Sequence, residues 1–446
     1  MKRLTLPLAC ALVIAGAGLA QTTLDPDEAR LTAAQLLSAG QLRAAADITT
    51  VLIRRDARDT PSLIVHAHAM RRLERYGPAQ QAARQAWRTA ERDIEKYGAA
   101  LAMAQALSSD GKKTRAQFWL RRAAQVAPSQ RMRNRAVRDY QFVRTANPWS
   151  VNFSFGINPS DNVNNAPRDN TFVLGGLIFT NPAAVPISGL SISTDTTLRY
   201  NFNVQTTSRN FVALRWTESH VVFTDDDVPA GVSASDYAFR RLQARVGHDW
   251  TNGPGKPRQT VSFSFGQLWS GGTHFAYDYE VEFRQAFQRK NGRSFVWDAR
   301  FGHSDRKDAA IRSNNTYALG GRWSRPLASG DRISWDAAVT RTDSDSRAIA
   351  HTRLNLGSQY AFAEPVLGAQ ALVSVAGELR QYDDPLYSPQ ARRDVKATIS
   401  GSLLFVDFDT FGFAPKLTLE ASQTSSNITR FETRNFGLNI GFQSLF

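Results

Sequence analysis

The 446-residue sequence has a single cysteine, Cys10, and no apolar run near 18 residues beyond its first twenty positions. Removal of those twenty residues would leave no cysteine, which excludes disulfides and a thiol nucleophile from the mature protein. Without long apolar runs, and with a mean hydropathy of −0.35, the chain is not a helical membrane protein. It also lacks the H-E-x-x-H motif of zinc hydrolases and the G-x-x-x-x-G-K-[ST] motif of nucleotide-binding loops.

What the sequence does contain is aromatic and basic residues in quantity. Aromatic residues make up 10 % of the chain, which is too many for a disordered polypeptide, and the length suggests two or more domains. The 54 basic and 40 acidic residues give a net charge of +14, a balance found in nucleic-acid-binding proteins. Where this charge lies along the chain therefore determines whether nucleic-acid binding is the right interpretation.

The first twenty residues have the features of a secretory signal peptide. Lys2 and Arg3 precede an apolar stretch, and Gly18-Leu19-Ala20 forms a small-x-small cleavage site. A lipoprotein signal ending at Cys10 is disfavoured, because Pro7 stands where leucine is usual and the apolar segment would be too short. We therefore expect residues 1–20 to be removed on export into a Gram-negative envelope.

Residues 21–147 are predicted to form a helical domain, because their apolar residues recur every three or four positions. Gly40, Gly77 and Gly111 interrupt this pattern at intervals of 37 and 34 residues. Paired helices with a period near 34 residues resemble tetratricopeptide repeats. The match is strongest after Gly111, at Ala116, Leu120, Ala123 and Pro128. An ordinary helical bundle is the alternative that the sequence leaves open.

From residue 148 to residue 446 the period of the apolar residues is two. In the first segment Val151, Phe153 and Phe155 alternate with polar or small residues. Fourteen such segments lie near residues 150–158, 188–204, 211–223, 234–250, 260–269, 275–287, 295–303, 316–325, 332–342, 351–362, 370–382, 393–405, 411–424 and 431–446. Each can cross a bilayer as a tilted strand. A soluble sandwich would not place so many charges on one face opposite aromatic residues on the other, so we predict a 14-stranded antiparallel transmembrane β-barrel.

The even number of segments and the end of the chain agree with a bacterial outer-membrane barrel. The chain ends in Phe446, and residues 436, 438, 440 and 442 of the same parity are apolar, although Ser444 departs from the pattern. This ending resembles the terminal signal read by the barrel assembly machinery. We expect the helical domain and the short turns to lie in the periplasm, and the longer loops to lie outside the cell.

The positive charge is concentrated in the helical domain. Residues 21–147 carry 22 basic and 12 acidic side chains, a net +10, whereas the barrel segment carries only +2. Arg131, Arg133, Arg135 and Arg138 lie where the helices meet the barrel and are candidates for docking an acidic or unfolded client. A solvated helix face, or one touching inner-leaflet phosphates, is the alternative. We do not expect nucleic acid as a partner, because an exported chain rarely meets it.

The barrel segment shows a candidate polar lumen and no recognisable catalytic or metal site. The lumen candidates are Asp195, Arg199, Asp278, Glu280, Arg284 and Asp336, with Arg322 on the same face. Five histidines are scattered near strand ends outside any nucleophile motif. The segment from Asp161 to Asn165 departs from a calcium-binding loop, because Val163 occupies its third position and no glycine follows at the sixth. We therefore expect no enzyme, cofactor or metal.

The succession of signal peptide, tetratricopeptide-like domain and fourteen-stranded barrel resembles Slam, the surface lipoprotein assembly modulators. The local match is PWSVNFSFGINPSDNVNNAP at residues 148–167, where an aromatic-rich strand leads into a motif at Asp161, Asn162, Asn164 and Asn165. The resemblance implies an outer-membrane translocon that delivers protein clients, often lipoproteins, to the cell surface. Its implied partners are outer-membrane lipids, the client and, during biogenesis, the barrel assembly machinery.

The barrel closes where its first and last strands meet, and glycines are placed there. Gly156 on the first strand and Gly437 and Gly441 on the last would reduce side-chain packing along this seam, so lateral opening is a hypothesis. The main alternative to a translocon is a passive or polymer-exporting porin with a periplasmic helical domain. A wet lumen lined by charges of both signs would suit such a porin.

Overall fold

The computed structural model describes residues 25–168, 170–174, 177–181, 184–225, 228–385 and 389–445. Within them, seven α-helices precede a closed antiparallel barrel of fourteen strands, so the predicted succession of helices and barrel is confirmed. The predicted signal peptide and Phe446 lie outside the described residues. The chain divides into two compact units between Lys112 and Lys113. The second unit contains the last two helices together with the barrel.

The helices span Pro26–Ser38 (α1), Leu42–Arg55 (α2), Thr60–Arg72 (α3), Tyr76–Thr89 (α4), Asp93–Ser109 (α5), Lys113–Gln125 (α6) and Gln130–Ala146 (α7). Small residues allow close packing in the first unit: Ala45, Ala46 and Ala69 are buried between α2 and α3. Asp59 caps α3 by accepting a 3.1 Å hydrogen bond from the Ser62 amide. No helix within the described ranges is long and apolar enough to cross a bilayer.

His66 is expected to make the first unit less stable in mild acid. Its Nδ1 lies 2.9 Å from the Thr49 hydroxyl, and burial lowers the pKa of its imidazole below the usual 6.5. The folded state therefore favours the neutral ring, so stability is full above pH 6.5 and falls as the unfolded chain takes up a proton below it. Helical circular dichroism during thermal unfolding should show a lower midpoint at pH 5 than at pH 7.5. The same pH dependence in His66→Gln would contradict this assignment.

The strands are Trp149–Ser160 (β1), Thr171–Leu174 (β2), Leu177–Thr180 (β3), Gly189–Phe202 (β4), Ser208–Phe223 (β5), Phe239–Thr251 (β6), Arg258–Ser270 (β7), Thr273–Gln288 (β8), Ser294–Arg306 (β9), Asn314–Pro326 (β10), Arg332–Ser344 (β11), His351–Ala361 (β12), Gln370–Tyr382 (β13), Arg393–Leu404 (β14), Phe413–Ser426 (β15) and Thr433–Ser444 (β16). The barrel consists of β1 and β4 to β16 in chain order, and β1 pairs with β16 to close it. All fourteen predicted segments correspond to these barrel strands. The separate β2–β3 hairpin lies in the first long loop and was not predicted.

Alternate side chains on each barrel strand point outward and into the lumen. The outward set is mostly apolar, and the side chains of Phe153, Leu319 and Ile399 are more than half exposed. The inward set carries most of the charged residues, which pair with charges on the next strand or the strand after it. The barrel is therefore apolar outside and polar inside, the reverse of a water-soluble protein.

We call the end of the barrel at which β1 begins and β16 ends the proximal end, and the other the distal end. The proximal turns are short, although residues 362–369 and 405–412 form longer ones. The distal connections include the long loop 161–188 but also a two-residue turn at Gly271 and Gly272. Both of these glycines have positive φ, 55° and 76°, which other residues rarely adopt.

Candidate functional site

The junction between β1 and β16, here called the seam, is the least paired part of the barrel. Three residue pairs are in register across it: Gly156 with Gly441, Ile157 with Ile440, and Ser160 with Gly437. The other junctions have eleven to fourteen pairs, including twelve between β1 and β4 and twelve between β15 and β16. Because each ladder pair contributes hydrogen bonds and side-chain contacts, the seam is the weakest junction of the barrel.

The predicted seam glycines lie at the crossing of the two strands. A Cβ atom added to Gly441 would lie 2.6 Å from the backbone oxygen of Phe155, and one added to Gly156 would lie 2.7 Å from Nδ2 of Asn439. At Gly441 the backbone of β1 approaches too closely for a larger residue, whereas at Gly156 the short contact is to the end of the Asn439 side chain. Gly437 is less constrained, since its nearest contact would be 3.6 Å away.

Cavities follow the seam on either side of this crossing. One of about 520 Å³ lies at the proximal end and is lined by Trp149, Phe413 and Ser444 among others. A second, of about 380 Å³, lies beside Gly156 and Gly441. A third, of about 430 Å³, lies against Gly437 towards the distal end. The missing ladder pairs thus leave space along the junction.

The distal end of the seam is held by two residues of the predicted family motif. Asp161 accepts a hydrogen bond of 3.0 Å from the amide of Phe436 through its Oδ1. Asn165 accepts one of 3.0 Å from Nδ2 of Asn435 through its own Oδ1. Loop 161–188 follows β1, so these contacts tie the loop to the start of β16. We call Asp161 and Asn165 the distal clasp.

The other two motif residues organise the loop itself. Asn162 is buried; its side chain accepts from the Ala166 amide at 2.8 Å and donates to the Ala166 oxygen at 3.0 Å. The Asn164 side chain donates to the Val185 oxygen at 2.8 Å and accepts from the Ile187 amide at 3.1 Å. The motif therefore has two tasks, since one pair of its side chains crosses the seam and the other pair shapes the loop.

The proximal end of the seam lies against α6. The Arg121 guanidinium donates to the Phe411 oxygen and to the Ser444 hydroxyl, both at 2.9 Å. The same guanidinium lies over the Phe413 ring, 4.6 Å from its centroid. The Gln125 side chain accepts from the Phe411 amide at 2.6 Å. Helix α6 is thus attached to the last residues of β16 and to the turn before β15.

The predicted arginine run on α7 divides into two groups. Arg133 forms a 2.7 Å ion pair with Asp409, whose side chain is 6 % exposed. Arg131, Arg135 and Arg138 are exposed, and no ion pair links them to any residue within the described ranges. Arg133 therefore attaches α7 to the turn between β14 and β15, while the other three present positive charge to solvent.

Replacing Asp409 with alanine is expected to loosen α6 and α7 from the barrel. The change leaves the partly buried Arg133 without its partner, for which we expect a cost of about 3 kcal/mol, and it removes the acceptor of a 3.0 Å hydrogen bond from Gly412. Limited proteolysis should cut residues 113–148 at least tenfold faster than in the wild type. Asp407→Ala is the matched control, because Asp407 is exposed in the same turn. Equal cleavage of the two variants would contradict the anchoring role.

The predicted lumen charges are distributed around the barrel and pair locally. Five of the six form ion pairs. Asp195 with Arg215 at 2.8 Å and Asp336 with Arg322 at 3.6 Å join adjacent strands. Three pairs reach across one intervening strand: Asp278 with Arg241 at 3.1 Å, Glu280 with Arg245 at 3.3 Å and Arg199 with Asp249 at 2.7 Å. Arg284 lies in register between Thr260 and Asp298. The structure does not gather these residues into one catalytic or binding cluster. No grouping of three or more potential metal-ligating side chains occurs in the part of the chain that is described.

One lumen cluster, centred on Asp249, could not be recognised in the sequence. Asp249 is buried and accepts from Arg199 at 2.7 Å, from Arg209 at 2.8 Å and from Thr260 at 2.8 Å. Phe211 packs beside it, 2 % exposed, with the Arg199 guanidinium 3.6 Å from its ring centroid. The parity of Asp249 in β6 places it on the lumen face, but parity alone gives no sign of its three partners.

The comparisons with known proteins give a limited result. No protein-family model matches the chain, and no curated protein matches it. Among solved structures, it is similar to OccAB3 of Acinetobacter baumannii, with 7 % identity, 66 % of this chain and 98 % of that one covered, and a TM-score of 0.38. A BenF-like porin from Pseudomonas fluorescens Pf-5 has 7 % identity, 67 % and 99 % coverage and a TM-score of 0.37.

A further similarity is to SycD, the type III secretion translocator chaperone of Yersinia enterocolitica. It has 14 % identity, covers 28 % of this chain and 88 % of its own, and has a TM-score of 0.25. With TM-scores below 0.5, none of these similarities bears on function.

Proposed function

We propose that this protein is an outer-membrane translocon that passes a protein client from the periplasm to the cell surface, with the seam as its lateral exit. The observation that carries the proposal is the three-pair junction between β1 and β16, beside junctions of at least eleven pairs. A porin transports solutes through its lumen and does not need one junction to be weaker than the rest. A translocon that opens laterally needs such a junction.

The membrane location rests on the two faces of the barrel. Its outward side chains are apolar and exposed, and would be costly in water. Its strands have the length and alternation of an outer-membrane barrel, and closure leaves no unpaired edge beyond the seam. Together with the export signal predicted at residues 1–20, this leads us to infer that the barrel spans the outer membrane and that the helices lie on the periplasmic side.

A seam is useful when the client carries lipid. The lumen is lined by charged pairs, so drawing an acyl chain through it would cost about 0.8 kcal/mol for each methylene removed from the bilayer. An opening between β1 and β16 would let the polypeptide pass through the polar lumen while its acyl chains stay in the membrane. This reasoning agrees with the Slam resemblance, in which the clients are often surface lipoproteins.

The helices supply a receiving surface in this proposal. Arg131, Arg135 and Arg138 are exposed on α7, and that helix is attached to the proximal end of the barrel through Arg133. Positive charge at this site would attract an acidic or unfolded client segment and raise its local concentration.

Deletion of the gene, followed by surface labelling, tests the proposal. We expect at least one surface lipoprotein or secreted protein to be lost from the cell surface while its total amount is retained, and a plasmid copy of the wild type to restore it. If every surface protein stays equally exposed, the translocon proposal fails. Steady single-channel conductance with solute uptake, and no protein client, would instead support a porin, for which the charged lumen is the favouring observation.

A further inference from the structure

A shallow apolar trough of about 930 Å³ runs along the outer surface of strands β9 to β12. Its floor is formed by Gly321 and Ala337, which are cross-strand partners. Its proximal wall is formed by Trp323 and Trp335, also cross-strand partners, whose rings stack with centroids 4.9 Å apart. The trough lies on the opposite side of the sheet from the lumen and takes no part in the proposed transport route.

The backbone does not require a glycine at position 321, on the floor of the trough. A Cβ atom added to Gly321 would make only ordinary van der Waals contacts, the nearest at 3.7 Å to the Phe295 ring. This differs from Gly441 in the seam, where the backbone oxygen of Phe155 leaves no space for a larger residue. The chain could therefore fill the trough with a larger side chain and still form the same sheet.

An unpaired cation lies at the proximal rim of the trough. Arg325 follows Trp323 on the same face, and its guanidinium carbon lies 5.6 Å and 6.0 Å from the ring centroids of Trp323 and Trp335. Its Nε is buried without a hydrogen-bond partner, and within the described ranges Arg325 forms no ion pair. A guanidinium on the outward face, just before the proximal turn, would lie at the level of lipid headgroups.

We propose that this trough binds one phospholipid of the periplasmic leaflet, with the phosphate on Arg325 and an acyl chain over Gly321 and Ala337. The distance along β10 from Arg325 to Gly321 is about 13 Å at the usual rise per residue, close to half of a hydrocarbon core of about 30 Å. Guanidinium groups are well suited to binding phosphate. The proposal rests on the membrane location inferred above.

A second copy of this chain is the competing occupant of an apolar surface. Packing a second barrel into the trough would place the Arg325 charge against the mostly apolar outer face of the partner. A phospholipid instead brings its own phosphate to that charge. Charge complementarity therefore favours the lipid.

Native mass spectrometry of the delipidated full-length protein with added phosphatidylglycerol tests this proposal. We expect one tightly retained lipid on the wild type, and at least fivefold less on Arg325→Gln and on Gly321→Leu, which fills the trough without changing charge. Arg322→Gln is the matched control, since it removes an equal charge from the neighbouring lumen face, and it should retain lipid like the wild type. Equal retention by all four proteins would overturn the proposal.

Two further readouts separate the possible failures. If Arg325→Gln and Gly321→Leu abolish a dimer rather than a lipid adduct, the occupant is a second copy and the lipid proposal is wrong. Outer-membrane fractionation of the wild type and surface labelling of the client are measured separately. A correctly inserted, exporting protein that retains no lipid would overturn this inference alone, whereas absence from the outer membrane would overturn the proposed function.

Discussion

A disulfide between cysteines introduced at Ile157 and Ile440 is expected to lower the amount of client at the cell surface at least tenfold. These residues are partners across the seam, and facing residues of antiparallel strands lie within the Cα separation that a disulfide requires. The bond would lock the junction that the proposed function requires to open. Surface labelling before and after addition of a reductant measures the effect, which the reductant should reverse.

The control keeps the cysteine at position 440 and places the second one on β15, the strand that pairs with the other edge of β16. Ile440 also faces Leu417 of β15, in a junction of twelve pairs, so a disulfide between cysteines introduced at Leu417 and Ile440 would cross-link two strands that are already firmly paired. We expect normal delivery from that variant. The only native cysteine is Cys10, within the predicted signal peptide, so the introduced pairs have no competing thiol in the processed chain. Normal delivery with the seam fully cross-linked would contradict the lateral exit.

Gly247→Ala is expected to reduce severely the amount of folded barrel. A Cβ atom at this position would lie 2.4 Å from Cζ of Phe211 and 2.7 Å from the backbone oxygen of Val261. Phe211 cannot move aside easily, because it is buried beneath the Arg199 guanidinium. Overpacking of this kind costs about 2–3 kcal/mol. The heat-modifiable, folded band on a gel should decrease strongly relative to the wild type.

Gly302→Ala provides the comparison, since Gly302 also faces the lumen and its nearest contact would be an ordinary 3.5 Å to the Tyr279 oxygen. We expect it to fold normally. Adding Phe211→Ala to Gly247→Ala should recover part of the lost folded fraction, because the two residues are in direct contact and their effects are coupled. Equal folding of the two single glycine variants would show that the contact at Gly247 does not limit the barrel.

The barrel could be predicted almost completely from the sequence, and the physical reason is its simple periodicity. A strand with an apolar face outside and a polar face inside alternates strictly, so fourteen segments from β1 to β16 could be located without knowledge of their partners. The β2–β3 hairpin could not be predicted in this way, because it is not part of the barrel wall and has no membrane face and lumen face to impose the alternation. Helix α7 could be predicted as a helix, but its attachment to the barrel depends on Asp409, which is 276 residues from Arg133.

The candidate site could be predicted only in part, for a related reason. Gly156 and Gly441 could be assigned to a seam because barrel closure requires the first and last strands to meet. The number of pairs formed there depends on the course of the backbone, which the sequence pattern does not encode. Likewise the motif residue Asp161 could be singled out, but its partner Phe436 lies 275 positions away, beyond the reach of any local pattern.

That same separation sets the order in which the barrel can assemble. Most junctions join strands that follow one another along the chain, whereas the distal clasp joins residues about 270 positions apart. Closing so long a loop carries a larger entropic cost than forming a hairpin, and contacts of long sequence separation form slowly. The seam is therefore expected to be the last junction completed during folding. In hydrogen exchange the seam amides should be among the first to lose protection, since a junction of three ladder pairs has low local stability.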